Sequence, residues 1–239
     1  MKRLIKLFLL NELNKVSIIL IALSVVMCGI VFYLSIDKPL NNFEYLANYK
    51  MYITEYKRNI TFYMNIINIA LISFLIANDY FTIEKYDVLF IATESKYKIY
   101  IAKLCSHLLF LCLIIIIEFL FYEIYPLLLY KDYKLTINDL MLFLAYLLNT
   151  SYLLCLGEVF INLFKSMFSA FLFFIIAFGL EMLCDISKKI SKIISLIYPA
   201  IYIERKNYFY YGYIYVIIEI IIVFILGIII YKKRKINNF

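Results

Sequence analysis

Tryptophan is absent from this 239-residue chain, histidine occurs once, glycine five times and proline three times. Each scarcity excludes something. The glycines (Gly29, Gly157, Gly179, Gly212 and Gly227) are isolated, so no GxxxxGK[ST] loop exists to cradle a nucleotide phosphate. One histidine, His107, rules out an HExxH metal site. Cys105, two positions before it, would not share its helix face, which leaves a Cys–His nucleophile poorly placed. The five cysteines (Cys28, Cys105, Cys112, Cys155 and Cys184) form no CxxC pair and lie within or at the ends of apolar runs. Small apolar packing residues fit that pattern better than a disulfide framework or a metal site. Charge is scarce as well: 17% of residues are charged and 65% apolar, against about a quarter charged in an ordinary soluble domain. Little here carries chemistry, and the chain is not expected to be an enzyme on its own.

What is abundant is apolar length. The mean hydropathy is +0.89, and crossing ~30 Å of hydrocarbon takes roughly 20 apolar residues. Six segments qualify, at about 16–36, 60–78, 101–125, 139–164, 166–184 and 213–231. All should be helical, because backbone groups cannot be left unpaired in lipid and no strand-like alternation is present. The expected fold class is an all-α membrane protein, one domain over 1–239 with six transmembrane helices. Pro39, Pro126 and Pro199 fall after the first, third and fifth segments, so all three are expected in connections on one side. Tyrosine (24) and phenylalanine (21) take over the interfacial role of tryptophan.

The net charge of +7 does not point to nucleic acid, because the bases flank apolar runs; contact with the lipid bilayer accounts for them. With both termini cytoplasmic, 13 of the 24 Lys and Arg lie inside, among them "MKR" at the start and "KKRK" abutting the last segment. Bases close to span ends weigh most, which favours this orientation, although it leaves Lys188, Lys189 and Lys192 outside. The opening "MKRLIKLFLLNELNK" reads as an interfacial helix along the inner leaflet, or as an extension of the first span. Before the last span, "ISKKISKIISLIYPAIYIERKNYFYYGY" is too polar to cross and too apolar for a free loop. Two short helices broken at Pro199, dipping into the outer leaflet as a re-entrant hairpin, are expected there. Their tyrosines (Tyr198, Tyr202, Tyr208, Tyr210, Tyr211 and Tyr213) would sit at headgroup level.

Between the second and third spans lies "EKYDVLFIATESKYKIYIAK", Glu84 to Lys103, on the cytoplasmic side in this orientation. Tyr86, Leu89 and Phe90 fall at i, i+3 and i+4, so one face can be buried while charges surround it. "YDVLFIA" is too apolar for water, and a partner's groove is expected to receive it. Glu84, Leu89, Ser95, Lys96 and Lys103 follow a pattern in which a Glu precedes a Leu-centred helix, a basic turn and a Lys heading the third span. In that pattern the chain resembles the type-2 ABC transporter permeases. It departs from them where Tyr86 or Asp87 stands for a glycine and Glu94 for a proline. Six spans, the N-terminal interfacial helix and the outer hairpin extend the resemblance over essentially the whole chain.

The resemblance implies that the insert is a coupling helix, with Glu84, Asp87, Leu89, Phe90, Ser95 and Lys96 docking into a cytoplasmic ATPase subunit. Two copies of that subunit would bind ATP and Mg, and this chain would bind no cofactor. A second permease copy or a paralogue would complete the pore. Stand-alone permeases of this size resemble those of bacterial peptide-toxin exporters, such as exporters of phenol-soluble modulins, and of bacteriocin-immunity systems. The implied setting is the bacterial plasma membrane and the implied cargo an amphipathic or hydrophobic peptide.

Five glutamates fall within the spans: Glu118, Glu123, Glu158, Glu181 and Glu219. Each ionised group near a bilayer centre costs on the order of 3 kcal/mol or more, so such groups face a bundle interior or an aqueous cavity. All but Glu158 fall in the outer half. Glu118, Glu219, Glu181 and Glu158 are therefore candidates to line a translocation cavity, and Asn65, Asn68, Asn149 and Asn162 are candidate hydrogen-bond partners. Glu123 and Glu181, close to span ends, fit equally well as groups reaching the headgroups. A rival of another class is an ion-coupled carrier in which these glutamates relay protons. An intramembrane protease lacks its histidine and paired-acid motifs.

Overall fold

The computed structural model describes residues 1–12, 15–35, 62–78, 95–129, 133–164, 166–186 and 211–233. These form helices α1 (Lys2–Glu12), α2 (Lys15–Ser35), α3 (Phe62–Asn78), α4 (Lys96–Leu129), α5 (Ile137–Phe164), α6 (Met167–Ile186) and α7 (Tyr211–Lys233). There is no strand among the described residues. Three stretches among them are long and apolar enough to cross a membrane: Lys96–Leu128, Asp139–Phe164 and Tyr213–Lys233, of 33, 26 and 21 residues. Phe62–Asn78 and Met167–Leu183 are shorter apolar helices. These lengths suit a membrane protein. So does the outer face of α7, where Ile214, Ile218, Ile221, Ile222, Ile225 and Ile229 stand exposed. That face offers bulky branched side chains where helix–helix contacts in lipid favour small ones.

Short polar motifs start the helices. The Ser95 carbonyl accepts from Lys98 N (2.9 Å) and Ile99 N (3.2 Å) and opens α4. At α5, Asp139 Oδ2 accepts from Thr136 N (2.9 Å) and Thr136 Oγ1 (2.7 Å), while Thr136 O accepts from Asp139 N (3.1 Å). The Asp139 side chain thus reaches back to the Thr136 N–H, one half of a capping box, with Asp in the place of the usual Glu. Ser166 Oγ accepts from Phe168 N (3.1 Å) and starts α6 after a tight turn. A cap of this kind is worth about 1 kcal/mol.

Two expectations are corrected. Pro126 lies inside α4, not in a connection. The bond it removes, to the Tyr122 carbonyl, falls one turn from the helix end, where few intrahelical bonds remain to be lost. The end of the charged insert is also not a connection: residues 96–103 are the first two turns of α4. The cap at Ser95 allows this, and it lengthens the third apolar helix at its charged end by five residues relative to the expected start at 101. The expected re-entrant hairpin, with Tyr198, Tyr202, Tyr208, Tyr210 and Pro199, lies outside the described residues, as does Pro39.

Contacts between named residues fix helix directions. His107 of α4 meets Glu158 of α5, and Phe119 meets Phe143 at 4.7 Å, so α4 and α5 are antiparallel. Tyr213 Oη donates to Met141 O (2.7 Å), joining the starts of α7 and α5, while Tyr100 early in α4 stacks on Tyr231 late in α7 (5.2 Å). Asn68 and Ile76 of α3 meet Tyr146 and Gly157 of α5 in the same order along both helices. Asn65, near the start of α3, meets Glu181, near the end of α6. Direction therefore alternates from α3 to α7. The start of α4 and the end of α7 share one end of the bundle, and Lys96, Lys98, Lys232 and Lys233 gather there.

The core centres on α3, whose Ile69, Leu71, Ile72, Leu75 and Ile76 are buried together with Leu111, Leu154, Ile161 and Phe173. Gly157 lets α3 approach α5, since a Cβ there would overlap Ile76 Cδ1. Gly227 of α7 does the same for the Tyr100 phenol of α4. α1 is an element distinct from α2 and lies against α4. It turns Leu4, Phe8 and Leu9 inward and Lys2, Arg3 and Lys6 outward, the division of an amphipathic helix.

Candidate functional site

Among the described residues of this apolar bundle, three interhelical junctions hold an acid. The first joins four helices. Glu118 of α4, 1% exposed, accepts from Ser24 Oγ of α2 (2.8 Å, Oε1) and from Asn68 Nδ2 of α3 (3.1 Å, Oε2). Asn68 Nδ2 also donates to Tyr146 Oη of α5. In the second junction, Asn65 Nδ2 of α3 donates to Glu181 Oε1 of α6 (3.3 Å). In the third, His107 Nδ1 of α4 lies 3.0 Å from Glu158 Oε1 of α5, both side chains being almost fully buried. An acid held in hydrocarbon needs donors, and each hydrogen bond between helices contributes about 0.6 kcal/mol, up to 1–2.

α3 is the hub. Its Asn65 and Asn68, three residues apart on adjacent faces, hold one acid on α6 and one on α4. Other polar side chains satisfy themselves locally: Ser73 donates to Ile69 O, Ser106 to Lys103 O and Thr150 to Tyr146 O, each one helical turn back.

Of the candidate partners, Asn65 and Asn68 meet acids. Asn162 donates to the Glu158 carbonyl (2.7 Å). Asn149 is buried with its Oδ1 unpartnered and contacts none of the glutamates. Glu123, near the end of α4, accepts from Tyr133 Oη (2.6 Å). Glu219 is half-buried on α7. Glu118, Glu158 and Glu181 each sit in an interhelical contact of their own. A small cavity of about 20 Å³ lies at Met64, Phe119, Tyr122, Leu142, Phe143 and Tyr146, and none of the glutamates lines it. Sequence reasoning set His107 aside as neither part of an HExxH site nor the base of a Cys–His pair, and missed its pairing with Glu158. The two residues are 51 positions apart on different helices, and the one available signal was their shared depth toward the same end of the bundle.

Among the docking candidates, Ser95 stands exposed at the start of α4 and Lys96 is its half-exposed first residue. Glu84, Asp87, Leu89 and Phe90 lie outside the described residues. No group of three or more His, Cys, Asp or Glu able to hold a metal occurs among the described residues. The arrangement holds ionisable groups between helices. No protein-family model, curated protein or solved structure matches the chain.

Proposed function

We propose that the chain is the membrane-spanning permease subunit of a type-2 ABC transporter that exports an amphipathic or hydrophobic peptide. In this reading α2 to α7 are six spans, with both termini on the cytoplasmic side of a bacterial plasma membrane. The 84–103 segment couples the permease to two copies of a separate ATPase, and a second permease copy or paralogue completes the complex. The observation that carries the reading is the order of elements: a separate basic amphipathic helix docked on α4, then apolar helices alternating in direction, with a charged segment between α3 and α4. The basic residues gathered at the start of α4 and the end of α7 agree with the positive-inside bias for that end.

The docking claim is tested by replacing Leu89 and Phe90 together with Asp. A carboxylate driven into an apolar groove is strongly unfavourable, so the variant is expected to insert into membranes normally and to lose the ATPase subunit in a pull-down. Retention of the subunit removes the insert as the docking element. A second reading, an ion-coupled carrier, is favoured by Glu118, a buried acid held by neutral donors alone. It predicts transport in proteoliposomes without ATP or any partner chain. A bacteriocin-immunity permease shares the ABC architecture and differs only in cargo.

A further inference from the structure

The junction of α2, α3, α4 and α5 supports an inference that stands whether or not the chain is an ABC permease. Glu118 has two polar contacts, both with neutral donors: Ser24 Oγ at 2.8 Å and Asn68 Nδ2 at 3.1 Å. Asn68 is itself 1% exposed, and its Oδ1 is buried without a hydrogen-bond partner. We propose that this junction is a proton-binding site, in which Glu118 takes up H⁺ and no larger cation and the Asn68 amide turns over to match.

The groups facing Glu118 are Ser24 from α2, Asn68 from α3, Tyr146 from α5 through Asn68, and Tyr122 one turn along α4 itself. A second acid, Glu181 of α6, is held by Asn65 on the same helix as Asn68. Among the described residues no base pairs with Glu118, so neutrality in hydrocarbon requires a bound cation. A metal ion needs several oxygen ligands and room for itself. The cavity of about 20 Å³ has Tyr146 in its wall but neither Ser24, Asn68 nor Glu118. A proton needs no volume.

The partnerless Asn68 Oδ1 gives the site its second state. Half a turn of the amide exchanges Nδ2 and Oδ1. With Glu118 ionised, Nδ2 donates to Oε2. With Oε2 protonated, the acid O–H and the Tyr146 O–H both donate to Oδ1, and the unpaired acceptor gains two donors. On uptake one O–H bond forms at Oε2 at the expense of one in water; on release the proton returns to water.

The test is difference infrared spectroscopy on the full chain in lipid nanodiscs at neutral pH, wild type against Glu118→Gln. The expected result is loss of a protonated-carboxyl C=O band that shifts in D₂O. Loss of a carboxylate band instead overturns the proposal. Ser24→Ala and Asn68→Ala keep the acid and provide a second readout, because removal of a hydrogen bond should move the same band upward. A band unmoved in both variants also overturns it. Thermal midpoints in sodium chloride and choline chloride should agree at equal ionic strength. A sodium-specific rise that Glu118→Gln abolishes would mean a metal-ion site.

Discussion

Three glycines give alanine substitutions of opposite sign, and the difference can be worked out from what each new methyl meets. In a helix, Ala in place of Gly gains about 1 kcal/mol of intrinsic stability. At Gly179 a Cβ would have no heavy atom within 4 Å, so Gly179→Ala should keep that gain. At Gly227 the Cβ would overlap the Tyr100 hydroxyl oxygen and lie 2.9 Å from Cζ. Tyr100 cannot swing aside easily: it is 1% exposed and its ring is held by Tyr231 at 5.2 Å and Phe224 at 6.5 Å. Overpacking of this kind costs about 1–3 kcal/mol, and after the propensity gain Gly227→Ala should be destabilising by up to about 2 kcal/mol. At Gly157 the clash is with Ile76 Cδ1, the end of a flexible side chain, although Ile76 is fully buried. That variant should fall between the other two. The gap of about 1–3 kcal/mol between Gly179→Ala and Gly227→Ala corresponds to about 2–12 °C for a chain of this size. Thermal unfolding of the purified variants in one detergent measures it. A Gly227→Ala protein as stable as Gly179→Ala would show that Tyr100 does not rest on the α7 backbone, and the helix arrangement at that end would be wrong.

The remaining predictions concern the polar junctions. Asn68→Leu removes two donor contacts and leaves Glu118 with Ser24 alone, so it should cost about 2–4 kcal/mol. Unfolding in mixed micelles measures the loss, and a variant as stable as the wild type would refute the four-helix junction. His107→Ala leaves Glu158 buried without its partner and should cost about 3–5 kcal/mol. Adding Glu158→Gln to His107→Ala should recover a good part of that loss, and a double-mutant cycle reads the coupling. Additive losses would mean the two side chains do not interact.

Much of the helical layout was legible because lipid imposes it. Apolar length alone located the segments in which α2 to α7 lie, since a segment in hydrocarbon must satisfy its own backbone. Ends were less legible. The start of α4 depends on a cap at Ser95 and on whether Lys96 and Lys98 extend a helix beyond the apolar run, which hydropathy does not report. Pro126 misled because a proline usually marks a break, yet near a helix end it removes little. At the site, the residue types were readable: acids need donors, and Asn65 and Asn68 were identifiable as donors. Which acid each would meet was not, because Asn68 and Glu118 are 50 residues apart and their meeting depends on how α3 rotates against α4. His107 shows the same limit, since an acid–base pair across two helices leaves no spacing in either one.

The most direct test of the transport reading is ATP hydrolysis by the chain purified from its native host, with co-eluting subunits and again after they are stripped away. The reading predicts hydrolysis that depends on a co-purified ATPase subunit and none from the stripped chain, whose five isolated glycines form no phosphate loop. Saturable hydrolysis by the stripped chain, or a transport-competent chain that co-elutes with no ATPase at all, would contradict it.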